Sequence, residues 1–76
     1  MKKHGTMFYN ANTDRFDIIF KDGTFHDLHC GDCFDVYIGG IYYPTRIEMS
    51  DRWYLVGIKG TKLEGLKVKM WYEKIY

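Results

Sequence analysis

No segment of this 76-residue chain repeats apolar residues at i, i+3, i+4 and i+7 over the roughly ten positions that an amphipathic helix needs. The period that does recur is two. Phe16, Ile18 and Phe20 alternate with Arg15, Asp17 and Ile19, and Asp22-Gly23 then offers the positive φ of a tight turn into residues 24–26. Phe34, Val36 and Ile38 alternate with Cys33, Asp35 and Tyr37, and Gly39-Gly40 hands over to Ile41–Met49 as a second hairpin.

The rest of the chain continues the pattern. Ser50, Asp51 and Arg52 read as a polar turn, after which residues 53–58 are apolar on both faces, as in a central strand or one that underlies a binding surface. Lys59 to Lys62 interrupt the alternation, and Leu63-Glu64-Gly65 fits one 3₁₀ turn. Leu66, Val68, Met70 and Tyr72 then alternate with Lys67, Lys69, Trp71 and Glu73 as a last strand. Residues 6–10 form a first strand, parted from Arg15 by turn-forming Asn and Asp residues. Pro44 removes a ladder donor within a strand and so implies an edge or a bulge.

Strands with turn signals every 8 to 12 residues or so indicate a sandwich or barrel. Seventy-six residues fall short of the roughly 100 of an immunoglobulin-type sandwich. The expectation is one domain over residues 1–76: all-β, a small partly open barrel of five to six short antiparallel strands. Such a chain buries only about 60% of its unfolded surface. Its fourteen aromatics supply burial compactly and leave some rings available as contact surface.

The Leu-x-x-Gly-Asp-x-Phe-x-Val spacing from Leu28 to Val36 resembles the turn that opens the central strands of an SH3-like barrel. Taken with Leu28-His-Cys-Gly-Asp-Cys-Phe34, Tyr42-Tyr-Pro-Thr-Arg-Ile-Glu48 and Trp53-Tyr-Leu-Val-Gly57, the chain resembles a family of small proteins catalogued as a domain of unknown function. That family occurs in Gram-positive bacteria and their mobile elements. The resemblance spans roughly residues 15–69. It implies an SH3-like β-barrel, with no assigned activity and no established site residues to carry over.

His26, His29, Cys30 and Cys33 place four nitrogen or sulfur donors within eight residues, a complete inventory for tetrahedral zinc. Structural zinc, however, usually ties together two separated ligand pairs, and strand alternation turns Cys33 outward if Phe34 and Val36 point in. A redox reading of Cys30-Gly-Asp-Cys33 lacks a following helix, and Asp27, Asp32 and Asp35 would raise a thiol pKa. The preferred reading is a fold element. Gly31 supplies the turn, Asp32 accepts from backbone N–H groups, and the cysteines are small, partly buried fillers. A zinc-stabilised structural domain is the alternative; no cofactor is expected.

No nucleophile motif or phosphate-cradling glycine loop is present, so an enzyme is not expected. The formal net charge of +1 carries no argument for a nucleic-acid partner, although the chain is acidic early and basic late. No apolar run approaches the roughly 18 residues of a membrane span, and the Met-Lys-Lys-His start lacks an apolar signal core. A cytoplasmic chain with reduced cysteines and no membrane partner is therefore expected.

The functional expectation is a non-catalytic binding module. Tyr42, Arg46 and Trp53 are the residue types most enriched at binding hot spots, and a protein or peptide partner docking there is favoured. The alternative is a nucleic acid held by Lys67, Lys69 and Trp71 on the outward phase of the last strand.

Overall fold

The computed structural model of the chain describes residues 2–71, and all its regular structure is β. Seven strands are formed: β1 (Lys2–Asn10), β2 (Arg15–Phe20), β3 (Phe25–Asp27), β4 (Cys33–Ile38), β5 (Ile41–Met49), β6 (Trp53–Leu55) and β7 (Lys67–Trp71). The two glycine-bearing hairpins stand where alternation and turn chemistry place them. Gly23 lies at φ 88°, and Gly39 and Gly40 at 60° and 90°, values that side chains on L-residues rarely adopt.

Several boundaries differ from the sequence reading. β1 starts at Lys2 rather than Thr6, because its N-terminal half finds a partner in β7, far away in sequence. The segment apolar on both faces is short and lies at the edge: β6 ends at Leu55, and Gly57 at φ 79° turns the chain away. Ile58 instead packs against the core from the loop. The Leu63 carbonyl accepts the Leu66 N–H at 3.2 Å, a single turn. Pro44 sits in the part of β5 that β6 does not cover, so one flank of the strand is an edge there. Tyr72 and Glu73, assigned by alternation to the last strand, lie outside the described residues.

The sheet order is β3-β2-β1-β7-β4-β5-β6, with every pairing antiparallel. The chain thus makes two successive meanders, β1 to β3 and β4 to β6, and lays β7 between their first strands. The sheet is not closed by strand pairing, but two contacts cross its open seam. Residues 28–32 run from the edge of one meander to the other: the Leu28 N–H donates to the Phe16 carbonyl at 2.9 Å, and Gly31 N–H to the Ile47 carbonyl at 2.8 Å. On the second seam contact, the Trp53 indole N–H donates to the Asp14 carbonyl at 2.9 Å. A sheet whose second and fifth strands are tied to one segment must curl, and the core fills the concave side.

That core contains Met7, Phe16, Ile18, Phe20, Leu28, Phe34, Val36, Ile47, Leu55 and Val68. On β2, β4 and β7 these are the alternate residues predicted to point inward. Gly5 takes the same phase on β1, where a Cβ would lie 2.6 Å from Ile18 Cγ2 and 2.8 Å from the Ile19 carbonyl oxygen. The absent side chain lets β2 bend closely over β1.

Candidate ligand-binding face

Because one side of the curled sheet holds the core, the other phase of each strand forms a continuous outer face. Its register can be read across the strands. Thr6 is opposite Ile19 on one side and Lys67 on the other, and His4 is opposite Lys69, which in turn is opposite Asp35. Tyr37 and Tyr42 face each other across the β4–β5 pair. The C-terminal lysines, remote in sequence from every tyrosine of the middle hairpin, therefore stand at the centre of this face.

A groove of about 630 Å³ runs over it from β2 to β5, with His4, Phe8, Ile19, Lys21, Tyr37, Tyr42 and Lys67 among its lining residues. The Lys69 ammonium sits 3.9 Å from the Tyr42 ring centre, a cation–π contact. The Tyr37 and Tyr42 rings are 4.9 Å apart and tilted, and the Tyr42 hydroxyl lies 3.3 Å from His4 Nδ1. Lys2 pairs with Asp35, so the carboxylate opposite Lys69 is already engaged. Lys21 and Lys67 have no acidic partner among the described residues.

The two sets of binding residues expected from the sequence are partly combined and partly separated. Tyr42, Lys67 and Lys69 share the face just described. Arg46 has the same outward phase but lies further along β5, opposite Cys33, where its Nε donates to Glu48 at 2.8 Å. Trp53 has the opposite phase: half-buried and packed against the core, it hydrogen-bonds Asp14 under the Arg15 guanidinium. Trp71 is 64% exposed at the far end of β7, beside Phe25 and His26 on one side and Cys33 and Pro44 on the other. His4, Phe8, Ile19 and Tyr37 were missed. Tyr37 carried a signal in its outward alternation, but the sequence does not show that β1 and β4 flank the same strand.

The cysteine-bearing segment serves the fold as expected in one respect and differs in another. Gly31 has φ 92°, and the Asp32 carboxylate accepts the His29 N–H at 2.9 Å and lies 3.1 Å from His26 Nε2. The cysteines, however, are free and exposed rather than partly buried: Cys33 is on the outward phase of β4, and Cys30 is exposed in the turn before it. The Cys33 thiol donates to the Gly31 carbonyl at 3.5 Å. Among the described residues, no group of three or more His, Cys, Asp or Glu side chains converges on a metal-holding geometry, so His26, His29, Cys30 and Cys33 are not brought together.

A second acidic feature bounds the face at the β2–β3 side. Asp17 is only 8% exposed, opposite Phe8 and Asp27 in the ladders. Burial, and then the neighbouring Asp27 carboxyl, push its pKa up. Asn10 Nδ2 donates to its Oδ2 at 3.1 Å, while its Oδ1 has no partner.

Comparison with known proteins fits the residues that make this fold. The profile of a family described as "Domain of unknown function (DUF5348)" matches residues 5–70. The chain belongs to that family. The matched stretch runs from Gly5 to Met70 and so includes β2 to β6 whole, with β1 from Gly5 onward and β7 as far as Met70. Among solved structures, the DUF5348 chain is similar to a protein from Ruminococcus gnavus whose crystal structure was determined as a structural-genomics target. The two are 49% identical, with a TM-score of 0.83, and the match covers 90% of this chain and 100% of that one. No curated protein matches the chain. No helix among the described residues is long and apolar enough to cross a membrane.

Proposed function

We propose that this DUF5348 protein is a non-catalytic binding module that takes a nucleic acid on its outer face. The observation that carries the reading is the placement of Lys67 and Lys69 on a central strand, flanked by Phe8 and His4 on one side and Tyr37 and Tyr42 on the other. Aromatic rings interleaved with cations match a ligand of flat bases and phosphates. The groove lining is a contact surface of rings, aliphatic side chains and lysines. A peptide partner on Tyr42, Arg46 and Trp53 receives less support, because Trp53 is committed to the core and the seam.

The same reading takes the curled sheet as an SH3-like barrel variant acting in the cytoplasm. Two exposed free cysteines suit a compartment that keeps thiols reduced.

Fluorescence anisotropy with labelled oligonucleotides over a salt series tests this. Binding is expected to weaken steadily with salt, and Lys67→Ala with Lys69→Ala is expected to weaken it at least about tenfold and to lower the salt slope by about 1.4, two phosphate contacts at about 0.7 each. Absence of binding at low salt, or binding indifferent to both salt and these substitutions, would overturn the proposal.

A further inference from the structure

The groove distinguishes between forms of nucleic acid. Resting on the reading above, we infer that the ligand is a single strand, with unpaired bases laid on Phe8 and Tyr37 and phosphates on Lys21, Lys67 and Lys69. Three observations lead there.

The first is which rings are exposed. Tyr42 is engaged by the Lys69 ammonium at 3.9 Å and by the Tyr37 ring at 4.9 Å, and its hydroxyl lies against His4. Its part is to hold that ammonium and that ring in place. Phe8 is 40% exposed within the groove, and Tyr37, although it meets the Tyr42 ring, is exposed there to the same extent. A base can lie on either one.

The second is spacing. Phe8 is on β1 and Tyr37 on β4, with β7 and its Lys67 between them. Two strand steps separate the rings by roughly 10 Å across the sheet. A ligand that reaches both rings must follow the sheet surface and present base faces at separate points. In a duplex, the faces are covered by neighbouring pairs, so only an unpaired strand can offer them.

The third is where negative charge is excluded. Asp17 and Asp27 lie opposite one another beyond Phe8, so a phosphate on that flank would meet carboxyl groups. The lysines lie away from those carboxyl groups: Lys67 is on β7, between the strands that carry Phe8 and Tyr37, while Lys69 and Lys21 are beside His4, toward the other end of the face from Asp17. The bases therefore face the rings with the backbone on the lysine side.

The test compares a labelled thymidine strand of about 12 nucleotides with a duplex of the same length. The single strand is expected to bind at least about tenfold more tightly. Phe8→Leu and Tyr37→Leu keep an apolar side chain but lose the ring, and each is expected to weaken the single strand about 5- to 150-fold, the equivalent of stacking one base, with little effect on the duplex. Phe25→Leu, an exposed ring outside the groove, should leave both affinities unchanged, and thermal unfolding checks that each variant is folded. Equal binding of the duplex, or single-strand binding indifferent to both leucines, would overturn this inference while leaving the lysine-dependent reading standing. If neither nucleic acid binds, the functional proposal itself fails and takes this inference with it.

Discussion

Adding one methyl group at Gly5 would force a carbon to within 2.8 Å of the Ile19 carbonyl oxygen, and a backbone atom in a paired strand has little room to retreat. Gly5→Ala is therefore expected to cost about 1–3 kcal/mol, as overpacking does, and to lower Tm by at least about 4 °C in thermal unfolding. Asp17 presents the opposite opportunity. Its folded pKa is raised, so the folded state holds the proton more tightly than the unfolded chain. The stability this contributes is complete below the usual carboxylate pKa and is lost as pH rises through the folded value. Asp17→Asn removes the buried charge and keeps the shape, so the variant should be more stable than the parent near pH 7 by about 1 kcal/mol or more. That advantage should fade toward about pH 4, which urea unfolding at several pH values would show. Asp22 acts in the other direction: the Thr24 hydroxyl and then Lys3 hold its carboxyl well below the usual range, so its contribution is lost only as pH falls. Neither Gly5 nor Asp17 could be recognised from the sequence. One reads as a break before a strand and the other as an ordinary outward residue, until the register places them against β2 and β3.

At the scale of elements, alternation and turn chemistry made both hairpins legible, because a β-turn depends on a few adjacent residues. They also exposed the Gly31-Asp32 turn, but not that residues 28–32 reach from Phe16 on β2 to Ile47 on β5. A period of two describes which way side chains point and says nothing about which strands meet. Residues 28–32 depend on Asp32, whose carboxylate accepts the His29 N–H and faces His26, while its own carbonyl accepts the Ile47 N–H at 3.1 Å. Asp32→Ala should leave the His29 donor without its partner and loosen the seam. A loss of about 1–3 kcal/mol in chemical denaturation is expected, with faster amide exchange at Gly31 and Ile47 than at Val36 and Val68. Equal exchange at all four amides would mean that this segment does not hold the seam as a separate unit. The short β6 has a similar explanation: apolar residues on both faces marked burial correctly, yet Ile58 obtains it from a loop.

Across the whole molecule, the basic last strand lies between β1, which carries no Asp or Glu, and β4, where Asp35 stands opposite Lys69, so the early acidic stretch meets the late basic one in the sheet at Asp35. Tyr42, Lys67 and Lys69 were legible as outward residues, each on its own strand. Their convergence, and the inclusion of His4, Phe8 and Tyr37, depends on a strand order that local pattern does not encode. The central position of β7 also governs how the molecule comes into being. Each meander can pair its own strands as soon as it is synthesised, but β1 and β4 keep an open edge until Lys67–Trp71 arrives. Joining the first strand to the last is a contact of long sequence separation, with the loop-closure cost that slows folding. Between the completion of β6 and the arrival of β7 the chain is two incomplete sheets, with the edges of β1 and β4 exposed as well as those of β3 and β6, and in that interval it is most open to pairing with the wrong strand.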